Sequence, residues 1–216
     1  MERHLHMELE ELRKELYRMD TMVIEAFVKS IRAMKEQDLK LAADVIENDS
    51  VIDRMEIDVD NKILSILALQ QPVAVDFRFL MSALKINNDL ERIADKAVTI
   101  ARTLRLSIFQ DLSRDYFKSI LKMSEFAIAM VEKSFEAFME KNARKAEEVI
   151  KEDAEIGSMC NTINSGVIKA VEKNQRGVNL GINTHKITTA IERIGALSKN
   201  ISEDVLYYIS GNLLKY

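Results

Sequence analysis

The chain has 216 residues, 47% of them hydrophobic and 31% charged, with only six Gly and one Pro. Leu, Ala, Glu, Lys, Met and Ile dominate, a composition that specifies helix almost throughout and one or two domains with a real core. The 31 basic and 35 acidic residues leave a net charge of −4 with no basic block, which argues against nucleic-acid binding as the main role.

No apolar run reaches the roughly 18 residues of a membrane span, so no direct membrane insertion is expected. The opening MERHLHMELEELRKEL has early charges and no apolar signal region. A single cysteine, Cys160, allows no intrachain disulfide. The cytoplasm is the expected compartment.

Six long helices are expected, over 5–36, 39–70, 72–108, 114–140, 143–173 and 178–211. The first ends at MKEQ, and Asp38 caps the second. Pro72 suits the first turn of the third. The polar break FQDLS follows, with Ser113 as a cap. Asn142 caps the fifth helix, and KNQRGVNLG at 173–181 separates it from the sixth with two of the six glycines.

These breaks repeat. Asp38 and Asn142 are 104 residues apart, and Lys29, Ser30, Ala33, Ala42, Val45, Ile46, Asp49 and Ile52 recur as Lys133, Ser134, Ala137, Ala146, Val149, Ile150, Asp153 and Ile156. In the third helix of each half the offset is 101, where LERIAD at 90–95 meets IERIGA at 191–196. The chain therefore reads as all-α, a tandem pair of three-helix bundles over 1–110 and 111–216. Helix two offers Val45, Ile52, Met55, Val59, Ile66 and Leu69 as its core stripe. Met19, Met22, Met34, Met55 and Met81 read as core filler rather than a soft-metal site.

The stretch ENDSVIDRMEIDVD, residues 47–60, is harder to explain as packing. Asp49, Asp53, Glu56 and Asp60 fall at steps of four, three and four, which stacks them on one helical face. Like charges so placed repel, by about 0.2–0.5 kcal/mol per exposed pair. A solvated face normally interleaves bases at i+4, yet Arg54 stands beside this line rather than in it. Ala42 and Ile46 continue the line before the acids, and Ile63 and Leu67 continue it after them. The acids thus interrupt an apolar seam.

Helix three adds Asn88, Glu91 and Asp95 on one face. Counted from the turn at Pro72, Asp49 lies 23 residues back and Glu91–Asp95 lies 19–23 forward, so these acids meet at one height. Up to six carboxylates converge, needing protons, water or cations. Oxygen donors alone favour Mg²⁺, Ca²⁺ or Mn²⁺, with iron where carboxylates bridge. On spacing alone, a metal site and a solvated face both remain open.

ENDSVID, LALQQPVAVDFR and DLERIADKAVTIA resemble the signatures of the PhoU family, over nearly the whole chain. The resemblance implies two bundles related by a pseudo-twofold and an (E/D)xxxD motif on two helices of each repeat. Those motifs would bind a multinuclear cluster, iron or zinc in some members. In the first repeat they are Asp49-xxx-Asp53 and Glu91-xxx-Asp95, so that Asp49, Asp53, Glu56, Asp60, Glu91 and Asp95 form the candidate metal set. The resemblance also implies a cytoplasmic, non-catalytic regulator that links the ATPase subunit of a phosphate ABC transporter to a sensor histidine kinase and represses the phosphate-starvation response. A homodimer is the expected assembly.

The sequence departs from the family pattern mildly at Ala94, where glycine is usual, and strongly in the second repeat. There the positions of Asp49, Asp53, Glu56 and Asp60 hold Asp153, Gly157, Cys160 and Asn164, while those of Glu91 and Asp95 hold Glu192 and Ala196. Two functional alternatives stand beside the regulator. A di-iron carboxylate oxidoreductase needs Glu-x-x-His pairs, and none of His4, His6 and His185 follows a Glu by three. A metal-free helical adaptor would use the acid face to dock a basic partner. His4, His6 and His185 read as surface residues and Cys160 as a small buried one. No Gly-rich loop or Arg cluster suggests phosphate binding by the chain itself.

Overall fold

The computed structural model describes residues 2–106, 114–173 and 178–212. Six helices form, α1 (Glu2–Glu36), α2 (Leu39–Gln70), α3 (Ala74–Leu106), α4 (Arg114–Glu140), α5 (Ala143–Lys173) and α6 (Val178–Ser210). At 27–35 residues each, they are about 40–52 Å long. The proposed Ser113 cap, the end of helix three beyond Leu106 and Gly177 lie outside the described residues.

The first turn of each half is built alike. Gln37 and Lys141 take left-handed φ values of 55° and 54° after the last helical residue. The next amide then reaches back to a carbonyl of the last turn, Asp38 N–H to Ala33 O at 3.0 Å and Asn142 N–H to Ala137 O at 2.9 Å. This closes the helix end in a Schellman motif. The Asp38 carboxylate caps α2 by accepting from the amides of Lys40 and Leu41, and the Asn142 side chain accepts from Lys145 N–H at 3.2 Å.

The third element starts later than expected. Pro72 stands two residues before α3, which begins at Ala74. The turn itself occupies Gln71–Val73, and both Gln71 and Ala74 have left-handed φ, 46° and 48°.

The internal repeat extends to individual contacts. Ser30 and Ser134, both fully buried, each donate to the carbonyl three residues back, at 2.7 and 2.8 Å. Lys29–Asp44 in the first half recurs as Lys133–Glu148 in the second, at 3.4 and 3.7 Å.

Within each half the three helices pack on one another, and the halves meet along α3 and α6. These two central helices must be apolar on two faces. Accordingly α3 buries Phe79, Leu80, Ile86, Leu90, Ile93, Ala97 and Ile100, while α6 buries Ile187, Ile191, Ile194, Leu197, Ile201 and Val205. Each fully buried large side chain contributes about 1.5–3 kcal/mol of transfer free energy. The pair runs antiparallel, since Phe79 near the start of α3 meets Tyr208 near the end of α6, with ring centroids 5.6 Å apart. Ser82 Oγ donates to Asp204 O and Lys85 pairs with the Asp204 carboxylate at 2.7 Å. Phe138 stacks on Phe79 with centroids 5.5 Å apart, and the Arg13 guanidinium lies over the Phe79 ring, 4.1 Å from its centroid.

The Met residues behave as core filler: Met19 and Met34 are fully buried, and Met22 and Met55 pack against the core. Leu69 does not belong to the core. It is 73% exposed, in the last turn of α2 next to the Gln71–Val73 turn. Ile63 holds the inward position instead, at 0% exposure.

Candidate metal centre

The acid line of α2 lies where the apolar seam predicts. Ala42 and Ile63 on the same stripe are fully buried, and Ile46 and Leu67 pack against the core. Asp49, Glu56 and Asp60 are accordingly half-buried, with Asp53 more exposed. Across from them α3 presents Glu91, half-buried, and Asp95, exposed.

The carboxylates act on one another. Burial pushes the Glu91 carboxyl up to about 7, and the charges of Asp95, Glu56, Asp53 and Asp49 push in the same direction. Asp49 is raised by burial first, then by Asp53 and Asp95, while Arg102 opposes the rise. Five acids from two helices thus form one electrostatic cluster.

The sixth, Asp60, is held by an amide. Asn87 Nδ2 donates to Asp60 Oδ1 at 2.8 Å and to the Glu56 carbonyl at 2.9 Å. Asn88, expected as a neutral ligand, donates to Glu56 Oε1 at 3.2 Å. These amides turn Glu56 and Asp60 toward themselves. Among the described residues, no group of three or more Asp, Glu, His or Cys side chains is arranged to hold a metal ion. The donor chemistry nevertheless suits a cation. Every candidate is an oxygen, and the Asn87 Oδ1 acceptor is buried beside them without a hydrogen-bond partner.

Asn87 and Arg102 were not among the candidates from sequence. Asn87 had a signal, since it stands four residues before Glu91 and eight before Asp95. Arg102 had none within its own helix, because what it eases lies on α2.

The second repeat keeps only two acids at the same places, Asp153 and Glu192. Asp153 pairs with Lys199 at 3.1 Å. Thr188 Oγ1 donates to Asn164 Oδ1 at 2.7 Å, replacing the Asn87–Asp60 bond of the first half. Cys160 is buried, as expected, and its thiol is pushed up by burial and by Glu192. His185 lines an apolar groove between α5 and α6 with Val167, Ile168 and Ile182, in keeping with its reading as a surface residue. His4 and His6 are exposed.

Fold and site together define a duplicated three-helix protein with a carboxylate cluster between the second and third helices of one repeat. The PhoU domain model matches residues 16–104 and 120–205, and the chain belongs to the PhoU family. It is 33% identical over 205 residues to a phosphate-specific transport system accessory protein PhoU homolog of Clostridium acetobutylicum, covering 94% of this chain and 93% of that one. The corresponding PhoU of Escherichia coli K12 is 30% identical over 204 residues, with 94% and 84% covered. The crystal structure of PhoU from Pseudomonas aeruginosa superposes with a TM-score of 0.91 at 28% identity, covering 96% of this chain and 99% of that one. No described helix is long and apolar enough to cross a membrane.

Proposed function

We propose that the chain is a non-catalytic cytoplasmic regulator of phosphate uptake and phosphate-starvation signalling, with metal ions held by the carboxylates of its first repeat. Membership of a family whose relatives are named accessory proteins of phosphate transport supports the regulatory role. The observation that carries the metal reading is the gathering of half-buried Asp49, Glu56 and Glu91 with the more exposed Asp53 and Asp95 across α2 and α3, where burial and the neighbouring charges hold the Asp49 and Glu91 carboxyls above their ordinary range. A bound cation neutralises such a cluster and fastens the two helices together. These five, with Asp60 released from Asn87, would hold it. Their hard oxygens suit Mg²⁺, Mn²⁺ or Ca²⁺, and bridging carboxylates suit iron, with iron or zinc the family expectation.

The partners in this reading are the ATPase subunit of a phosphate ABC transporter and a sensor histidine kinase, engaged by a homodimer. A surface for one of them is the α2–α3 end, where Leu69, Val73, Val75 and Phe77 are all exposed around a turn with two left-handed residues. Deleting the gene should raise phosphate-starvation gene expression in phosphate-rich medium, and the purified chain should capture the ATPase subunit. Unchanged expression together with no capture overturns the regulatory reading.

A metal-free helical adaptor is the second reading, favoured by the lack of a preformed ligand trio among the described residues. Elemental analysis of protein purified without chelator separates the two.

A further inference from the structure

We propose that Lys199 is a built-in cation for the second repeat, an ammonium that does for α5 and α6 what a metal ion does for α2 and α3. The proposal rests on the metal reading of the first repeat.

The internal repeat locates the substitution. Position 199 corresponds to 98 by the offset of 101, and position 153 to 49 by the offset of 104. In the first half position 98 is a buried valine, so nothing there neutralises Asp49 at contact distance. Arg102, one turn along, eases Asp49 without forming an ion pair within 4.0 Å among the described contacts. In the second half, Lys199 Nζ lies 3.1 Å from Asp153 Oδ2 and bridges α6 to α5. Lys199 also lowers the raised carboxyl of Glu203, which occupies the position of Arg102. Lys199 thus pairs with Asp153 and eases Glu203 through its charge.

The remaining positions agree. Gly157, Cys160, Asn164 and Ala196 supply no charge where the first repeat has Asp53, Glu56, Asp60 and Asp95. Glu192 is the only other acid at the six positions. Of the two acids left at these positions, Lys199 pairs with Asp153, and two carboxylates are too few to neutralise a multinuclear cluster. Metal would then be sensed at one repeat of the molecule only, with the other closed in its presence or absence.

The substitution can be reversed in the protein. Gly157 has nothing within 4 Å of an added Cβ, so a side chain can leave the backbone there without a clash. Gly157→Asp with Ala196→Asp restores both closing acids, and the pair is made with Lys199 retained and with Lys199→Val. After dialysis against Mn²⁺, bound metal is measured by elemental analysis. The expected result is little gain with Lys199 retained and about a twofold rise per chain with Lys199→Val. Equal gain in both variants overturns the proposal.

Lys199→Met alone keeps the apolar stem and removes the charge. It should lower Tm by about 2–4 °C in Mn²⁺ and in EDTA alike, with bound metal unchanged. An unchanged Tm overturns the role of the ammonium. Absence of metal from the unmodified chain would sink the reading of the first repeat, while the Lys199→Met arm would still test the lysine.

Discussion

Asp20 offers the sharpest stability prediction. It sits on α1 facing α4, 6% exposed, with Oδ1 buried and lacking a hydrogen-bond partner. The charged groups set against it are Glu132 and Glu136 of α4, so burial and then these two acids push its carboxyl from 3.8 to about 8. At neutral pH the fold must therefore take up a proton there that the unfolded chain releases. Stability is fully present below pH 3.8, declines as pH rises, and stops declining above pH 8. One pH unit corresponds to about 1.4 kcal/mol, so the interval up to pH 7 amounts to at most about 4 kcal/mol. Relaxation of the glutamates reduces this to about 2–4 kcal/mol. Asp20→Asn keeps the shape without the charge. Urea unfolding in EDTA should show the variant about 2–4 kcal/mol more stable at pH 7 and within about 1 kcal/mol of the parent at pH 4.5. The same difference at both pH values would refute the argument, as would a less stable variant at pH 8.

Other expectations concern packing and the exposed end. Gly195→Ala places a Cβ 2.8 and 2.9 Å from two carbon atoms of the buried Ile156 side chain, and should cost about 1–3 kcal/mol by urea unfolding. Gly157→Ala, with open space around it, should instead stabilise by about 0.5–1 kcal/mol. Asp38→Ala removes the two amide contacts of the α2 cap and should cost about 1 kcal/mol. Val73→Asp with Phe77→Asp should abolish capture of the transporter ATPase while changing stability by less than about 0.5 kcal/mol, and undiminished capture would move the partner surface elsewhere.

The helices and their duplication were legible because the local rules agree with the global fold. Asp38 and Asn142 announce helix starts, and the absence of internal Gly or Pro from the first two helices leaves them unbroken. The acid cluster was legible for a geometric reason: a tight turn makes distance along α2 and α3 equal to height. Interactions between helices without such a hinge were not legible. The easing of Asp49 by Arg102, the Lys199–Asp153 pair and the burial of Asp20 against α4 depend on how the helices pack, which no single periodicity records. Leu69 and Pro72 were misplaced for one reason. A helical stripe was continued to the chain turn, although the turn itself takes three residues and carries the last leucine into solvent.

The central claim is most directly tested by counting metal ions per chain in three proteins purified without chelator: the unmodified chain, Asp53→Ala with Asp95→Ala, and Asp153→Ala with Glu192→Ala. The account predicts that the first-repeat pair removes most of the bound metal and that the second-repeat pair removes hardly any. Equal losses from the two pairs, or metal retained by Asp53→Ala with Asp95→Ala, would contradict it.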